Sequence, residues 1–296
     1  MKDAVYQVIT DRVITLLEQG TVPWHKPWQG GQSMPQNLVS RRPYRGVNVF
    51  LLHAMSYASP YWLTFRQAQE LGGSVRRGEK ACPVVFWKWL DVDEAGAGPT
   101  GKRRVPFLRY YSVFNAAQCE GIDAHVPAID GTQRPHTPIE TAEQIVAAMP
   151  RRPAVRHGLE RAFYDPSGDS VGMPAPERFD RPADYYNVLF HELTHATGHE
   201  SRLNRKGVSG TDGLWSAFGS QPYCREELVA EMGAAFLCGH AGIVERTLDN
   251  SAAYVAAWLA RLKDDVRLVV QAAAQAQRAA DFILARQFGE ESEAGQ

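Results

Sequence analysis

Residues 181–200, RPADYYNVLFHELTHATGHE, decide how the C-terminal half of this chain is read. Pro182 suits a first helical turn and Gly198 suits the position just past a helix, so the residues between them are expected to be helical. A spacing of four then puts His191 and His195 on one face, one turn apart, where two neutral imidazoles can reach a single divalent ion. Glu192 falls about 100° further round, beside those ligands but displaced enough to hold a water rather than the ion. That order of residues points to metal-dependent hydrolysis, because zinc lowers the pKa of water towards about 7 and polarises a carbonyl, leaving a neighbouring carboxylate to act as general base. Two histidines filling a core would need no acid at position 192.

A zinc site of this kind needs a third protein ligand. His199 is close in sequence, but a third histidine six residues after His195 would stand at position 201, which is Ser. Residues 223–239, YCREELVAEMGAAFLCG, place Glu227, Ala230, Glu231 and Ala234 on one helical face, with small residues that let two helices approach closely. One of those carboxylates can ligate while the other orients a histidine.

The N-terminal half has a different chemistry. Residues 1–122 hold 15 Lys/Arg against 9 Asp/Glu, and the remainder holds 17 against 24, so a net charge of −1 conceals a basic half and an acidic half. Five of the seven Trp lie in the basic half, which suggests separate tasks for the two. Cationic and aromatic residues alternate there in short segments that could follow phosphates and stack on bases: Trp24, Lys26 and Trp28, then Arg41, Arg42, Tyr44 and Arg45, then Arg76, Arg77 and Lys80. No zinc finger, KH loop or RNP signature is present, so single-stranded nucleic acid is the expected partner rather than a duplex sequence.

Periodicity organises the rest. Val5, Val8, Ile9, Val13, Leu16 and Leu17 predict a helix over residues 3–19 that stops at Gly20, and further helices are expected near residues 47–57 and 64–71, with Thr64 as an N-cap. ACPVVFWKWL and RRVPFLRYYSVFN read as strands joined by a hairpin-like loop. Between about Gly121 and Pro138 the chain turns rich in Pro, Gly, Asp and His, a linker composition. Beyond it helices dominate, ending in one Ala-rich helix from about Ala252 to Gln287, while RHGLERAFYDPSGDSVGMP is expected to form two short strands around the Asp165-Pro166-Ser167-Gly168 turn. The fold class is α+β in two domains: a mixed domain over residues 1–125, a linker over 126–138, and a mainly helical domain with a small sheet over 139–296.

Cys82, Cys119, Cys224 and Cys238 form no C-x-x-C pair and read as reduced thiols. The first twenty residues lack a signal-peptide core, and no run approaches the roughly 20 apolar residues of a membrane span, so a cytoplasmic location without membrane association is expected.

Taken together, TVPWHKPW, YRGVNVFLL, WLTFRQAQELGGSVRRGEKACPVVFW and RYYSVFNAAQCEGI in the first half resemble the ArdC antirestriction proteins of conjugative plasmids, in a region shared with TraC-type plasmid primases. SVGMP, FHELTHATGHESRLNR and YCREELVAEMGAAFLC carry the resemblance through the second half. It implies a single-stranded-DNA-binding domain joined to a zincin-like metallopeptidase domain, protecting incoming plasmid DNA from host restriction in the cytoplasm of the recipient cell. The implied cofactor is one divalent ion, zinc first and manganese second. A protein substrate is implied as well, a component of the restriction system being the candidate. The alternative is protection by occupancy of the strand, with a purely structural metal. The second helix also resembles that of the glutamate zincins, which implies Glu227 as the third ligand and Glu231 as the acid behind a ligand imidazole.

Overall fold

The computed structural model describes residues 3–25, 34–93, 102–128, 138–205, 208, 221–243 and 252–286. The amphipathic stretch at the start forms α1 (Ala4–Glu18), which buries Ile9, Val13, Leu16 and Leu17, and a short 3-10 turn (Pro23–His25) follows. Strand β1 (Gln36–Asn37), helix α2 (Val47–Ala54), strand β2 (Tyr61–Thr64) and helix α3 (Phe65–Glu70) come next. The expected cap at Thr64 is a reciprocal one: its hydroxyl accepts from Gln67 N at 3.2 Å, and Gln67 Oε1 accepts from Thr64 N at 2.9 Å.

After β3 (Ser74–Val75), the two aromatic segments form long strands β4 (Cys82–Asp93) and β5 (Lys102–Asn115), paired antiparallel from Cys82↔Val113 to Asp93↔Lys102. Their sheet has the order β1-β2-β5-β4, and β6 (Cys119–Glu120) pairs separately with β3. An exposed strand edge invites unwanted pairing. At the β4 edge Asn48 of α2 exchanges two 2.7 Å hydrogen bonds with the backbone of Val85.

The second domain starts with α4 (Pro138–Ala148) and a small sheet of β7 (Ala154–Arg156), β8 (Phe163–Asp165) and β9 (Ser170–Gly172), in the order β7-β9-β8. The β8–β9 hairpin is the one expected, turned by Asp165, whose Oδ1 accepts from Ser167 N at 3.0 Å. β7, pairing parallel with β9, had no periodic signal in its three residues. Helices α5 (Pro182–Ala196), α6 (Gln221–Ala241), α7 (Ala252–Asp264) and α8 (Leu268–Ile283) complete the chain. The single Ala-rich helix expected at the end is thus two helices. Asp265 Oδ1 accepts from Arg267 N at 3.0 Å and Thr10 of α1 donates to Val266 O at 2.7 Å, so side chains capture backbone groups that a continuous helix would use.

The two domains share one hydrophobic core. It runs from Ile9 and Phe50 in the first to Phe236 and Ile283 in the second, with Phe50 stacked on Phe236 at 4.6 Å between centroids. Gly46, at φ 58, turns the chain into α2 and donates its N–H to Gln277 Oε1 on α8, a conformation and an approach that suit glycine. Of the expected linker, residues 129–137 lie outside the described residues. All four cysteines are buried, and none is in a disulfide. Among the described residues no helix is long and apolar enough to cross a membrane.

Candidate metal centre

Helix α5 starts at Pro182 behind an extended Arg181 and carries both histidines on its last turns. Their Nε2 atoms lie 3.1 Å apart. Helix α6 packs along α5, with Gly233 fitted against Thr194 and Ala230 and Ala234 buried beside it. That approach brings Glu227 Oε2 to 3.6 Å from His191 Nε2 and Glu227 Oε1 to 3.7 Å from His195 Nε2. Among the described residues these three side chains form the group able to hold a metal, their ligand atoms all within 4.8 Å of one another. Two imidazoles and one carboxylate suit zinc or manganese alike.

The electrostatics of the cluster are mutual. Burial alone would raise the Glu227 carboxyl, but its hydrogen bond to His191 and the charges of His195 and His191 hold it below the ordinary carboxylate value. Burial likewise opposes a charged His191, and the hydrogen bond to Glu227 with the fields of Glu192, Glu227 and Glu231 reverses that and raises it. Glu192 is buried on α5. Tyr223, one turn before Glu227, is raised by burial and by the Glu227 and Glu192 carboxylates, so its phenol stays protonated beside both. Tyr185 and Tyr186 take other partners: the Tyr185 hydroxyl sits 2.8 Å from His157 Nε2, and Tyr186 donates to Glu143 at 3.1 Å. His199 pairs with Ser201 at 2.8 Å.

The acid behind the ligand imidazole is a correction to the expectation. Glu226, not Glu231, lies against a ligand ring, with Oε1 3.3 Å from His195 Nδ1. Glu226 is itself buried and paired with Arg205, whose charge, together with the His195 contact, holds its carboxyl below the ordinary value despite burial. Glu231, one turn beyond Glu227, accepts from Trp24 Nε1 at 2.9 Å and from the Tyr254 hydroxyl at 2.6 Å, with His25 Nε2 3.6 Å away. Adjacent glutamates on a helix face about 100° apart, which is why Glu226 and Glu227 reach opposite sides of one imidazole.

Comparison with known proteins identifies the lineage. The chain is 38% identical to the crystallised antirestriction protein ArdC of plasmid R388 in its metal-free form, at a TM-score of 0.72, with 95% of this chain and 96% of that one covered. The chain belongs to the ArdC antirestriction family. Residues 3–114 match the N-terminal domain of the anti-restriction factor ArdC and residues 140–275 match the zincin-like metallopeptidase family. The Mn(II)-bound structure of the R388 protein superposes at a TM-score of 0.71, covering 96% and 99% of the two chains, which supports a single divalent ion in this ArdC-family fold. An uncharacterized protein of Sinorhizobium fredii is 36% identical, with 96% of this chain and 92% of that protein covered. DNA primase TraC of Escherichia coli is 35% identical over 96% of this chain, but the match spans only 27% of the primase.

The ArdC-family N-terminal domain separates the described nucleic-acid candidates into buried aromatics, paired arginines and exposed cations. Trp24 is 1% exposed and lies edge-to-face on Trp258 at 5.9 Å, because a buried indole N–H needs an acceptor and Glu231 provides one. Tyr44 is 5% exposed, packs on Phe86 at 6.0 Å, and has its hydroxyl pushed up to about 12 by burial. Neither offers a face for stacking. Arg45 is paired with Asp281 of α8, and Arg76 with Glu79 and the carbonyls of Ala117 and Cys119. Arg41, at φ 61, lays its guanidinium over Tyr61 at 5.1 Å and donates to His125 O at 3.3 Å. Arg42, Arg77 and Lys80 are exposed. Lys26 and Trp28 lie outside the described residues. Among the described aromatics of this domain, those that face solvent are Phe65 on α3, at 50% exposed, and three on the β4–β5 hairpin: Trp87, Phe107, beneath Arg109 at 5.5 Å, and Tyr110.

Proposed function

We propose that this protein protects plasmid DNA from restriction by binding single-stranded DNA through its N-terminal domain and hydrolysing a peptide bond at a centre formed by His191, His195 and Glu227. The observation that carries the reading is the convergence of those three ligand atoms from two helices, with Glu192 buried beside them. When bound there, a divalent ion supplies the Lewis acidity that polarises the scissile carbonyl and acidifies water. Glu192 takes a proton from the attacking water at a carboxylate oxygen while the C–O bond forms, and passes it to the amide nitrogen as the C–N bond breaks. Tyr223 keeps its proton and uses it in a hydrogen bond to Glu227, which orients that carboxylate.

For the nucleic acid, exposed cations at Arg42, Arg77 and Lys80 follow the phosphates, with Arg41 beside them, while Phe107 and Tyr110 give bases a face to stack on. Holding a strand raises the effective concentration of the peptidase near proteins assembled on it, so the substrate class is a protein of the restriction machinery in the recipient cell.

The experiment is a plasmid-transfer assay into a restricting host with Glu192→Gln. The variant is expected to retain metal and fold while losing protection, together with any cleavage of restriction proteins. Full protection by that variant would refute peptide hydrolysis as the mechanism and leave occupancy of the strand.

A further inference from the structure

The metal-centre reading accounts for His191, His195, Glu192 and Glu227 and makes no use of the buried pair Arg205 and Glu226. We propose that Arg205 and Glu226 are positioning residues that fix the tautomer of His195, holding the proton on Nδ1 so that the Nε2 lone pair faces the metal position. This rests on the proposed centre.

A neutral imidazole has one donor nitrogen and one acceptor nitrogen, and an ionised carboxylate only accepts. With Glu226 Oε1 3.3 Å from His195 Nδ1, the carboxylate selects the tautomer that carries its hydrogen there. On the other side of the ring, Nε2 faces His191 Nε2 at 3.1 Å and Glu227 Oε1 at 3.7 Å. His195 is thus straddled by consecutive glutamates, one behind it and one before it.

A carboxylate with 4% of its side chain exposed stays charged and oriented only if something holds it. Arg205 does so bidentately, Nε to Oε2 at 3.1 Å and Nη2 to Oε1 at 2.5 Å. Two more of its hydrogens go to the end of α5, Nη2 to Thr194 O at 2.7 Å and Nη1 to the hydroxyl of the capping Thr197 at 2.5 Å. Thr194 O lies in the last turn of the helix, where carbonyls lack an intrahelical donor and favour a cation. One guanidinium therefore ties the acid on α6 to the end of the helix that bears the histidines.

Gly198 is part of the same device. A Cβ there would lie 3.1 Å from Arg205 Nη2 and 2.5 Å from Val208 Cγ2, so its role is to let the returning chain pass beneath the helix end. The return is held by Leu203 N to Thr197 O at 2.9 Å and Arg205 N to Gly198 O at 2.9 Å.

The test has two readouts that do not depend on peptidase activity. Zinc affinity, measured by competition with a chromogenic chelator, is expected to fall about 10–100-fold in Glu226→Gln and Arg205→Met, and to recover in part in Arg205→Lys, with native circular dichroism throughout. In the metal-free wild-type chain, 15N NMR of the His195 ring is expected to show the Nδ1–H tautomer, and in Arg205→Met a mixture. Wild-type zinc affinity in both Glu226→Gln and Arg205→Met would overturn the proposal, as would an Nε2–H tautomer in the wild type. If those two variants fail to fold, the wild-type tautomer decides alone. Glu227→Gln separates this proposal from the reading beneath it: a wild type that binds no zinc, or a Glu227→Gln variant that binds it as tightly, defeats the centre, whereas the tautomer measurement still judges the relay.

Discussion

The closeness of α5 and α6 depends on Gly233, and Gly233→Ala tests it. A Cβ at that position would meet Thr194 Cγ2 at 2.5 Å and Oγ1 at 2.6 Å, against the roughly 3.5–4.0 Å at which carbon atoms pack. Thr194 has no room to yield: it is 0% exposed and its hydroxyl donates to Phe190 O at 2.7 Å. Overpacking of this kind costs about 1–3 kcal/mol, and the shortness of the contact places it at the upper end. Alanine regains about 1 kcal/mol over glycine inside a helix, which leaves a net loss of about 2 kcal/mol. At roughly 2–4 °C per kcal/mol, the melting temperature should drop by about 4–8 °C. Thr194→Ala removes both offending atoms and leaves the Cβ at position 194 3.1 Å away, a tight but tolerable contact. The double variant is therefore expected to recover most of the loss, giving a coupling energy of about 2 kcal/mol in a double-mutant cycle read by urea denaturation. Zinc affinity should follow, falling in Gly233→Ala as Glu227 is pushed from the histidines and returning in the double variant. A Gly233→Ala protein as stable as wild type, or a cycle with no coupling, would refute the argument that this contact sets the separation of the ligands.

Tyr254→Phe keeps the ring and deletes the 2.6 Å hydrogen bond to Glu231, and is expected to cost about 1.5–3 kcal/mol in chemical denaturation; an unchanged midpoint would show that the joint between α6, α7 and the Trp24 turn contributes nothing to stability. His240 is held at about 4, against an ordinary 6.5, by burial and by the Arg286 and Arg45 charges, so the unfolded chain takes up a proton before the native one does. Stability is therefore fully present above about pH 6.5 and is lost as pH falls towards about 4, by at most about 3 kcal/mol. Wild type should lose more stability than His240→Gln between pH 7 and pH 5, and equal losses would rule His240 out as a source. Phe107→Ala or Tyr110→Ala should weaken binding of a single-stranded oligonucleotide by about 1–3 kcal/mol in a gel-shift titration, and Arg77→Ala or Lys80→Ala should each reduce the salt slope by about one unit. Aromatic substitutions without effect would move the binding surface elsewhere.

The parts of the fold legible in the sequence were those carried by local signals. The α1 stripe, the Thr64 cap and the Asp165 turn each act within four residues, and each formed where the pattern placed it. The break between α7 and α8 was not legible, because Ala-rich sequence favours helix on both sides and what interrupts it is in part a hydroxyl from Thr10, some 250 residues away in the chain. The shared core escaped for a related reason. A change in charge and composition near residue 122 separates a basic half from an acidic one, but Phe50 and Phe236 carry no sign of one another until the chain is folded.

At the site, the same boundary between local and distant separates what could be read from what could not. Histidines four apart must share a helical face, so their meeting required no knowledge of the fold, and the small residues of α6 announced a close helix contact. Which of three neighbouring glutamates faces which group depends instead on the rotation of α6 against α5, a quantity the period leaves free. Packing Gly233 against Thr194 sets that rotation, turns Glu227 towards both Nε2 atoms and Glu226 towards His195 Nδ1, and leaves Glu231 to meet Trp24 and Tyr254. The aromatic-basic turn near residue 24 thus has a different meaning in the folded chain from the one its composition suggests. Trp24 and His25 sit in the wall one helical turn from Glu227, so the N-terminal domain is a structural neighbour of the proposed peptidase centre.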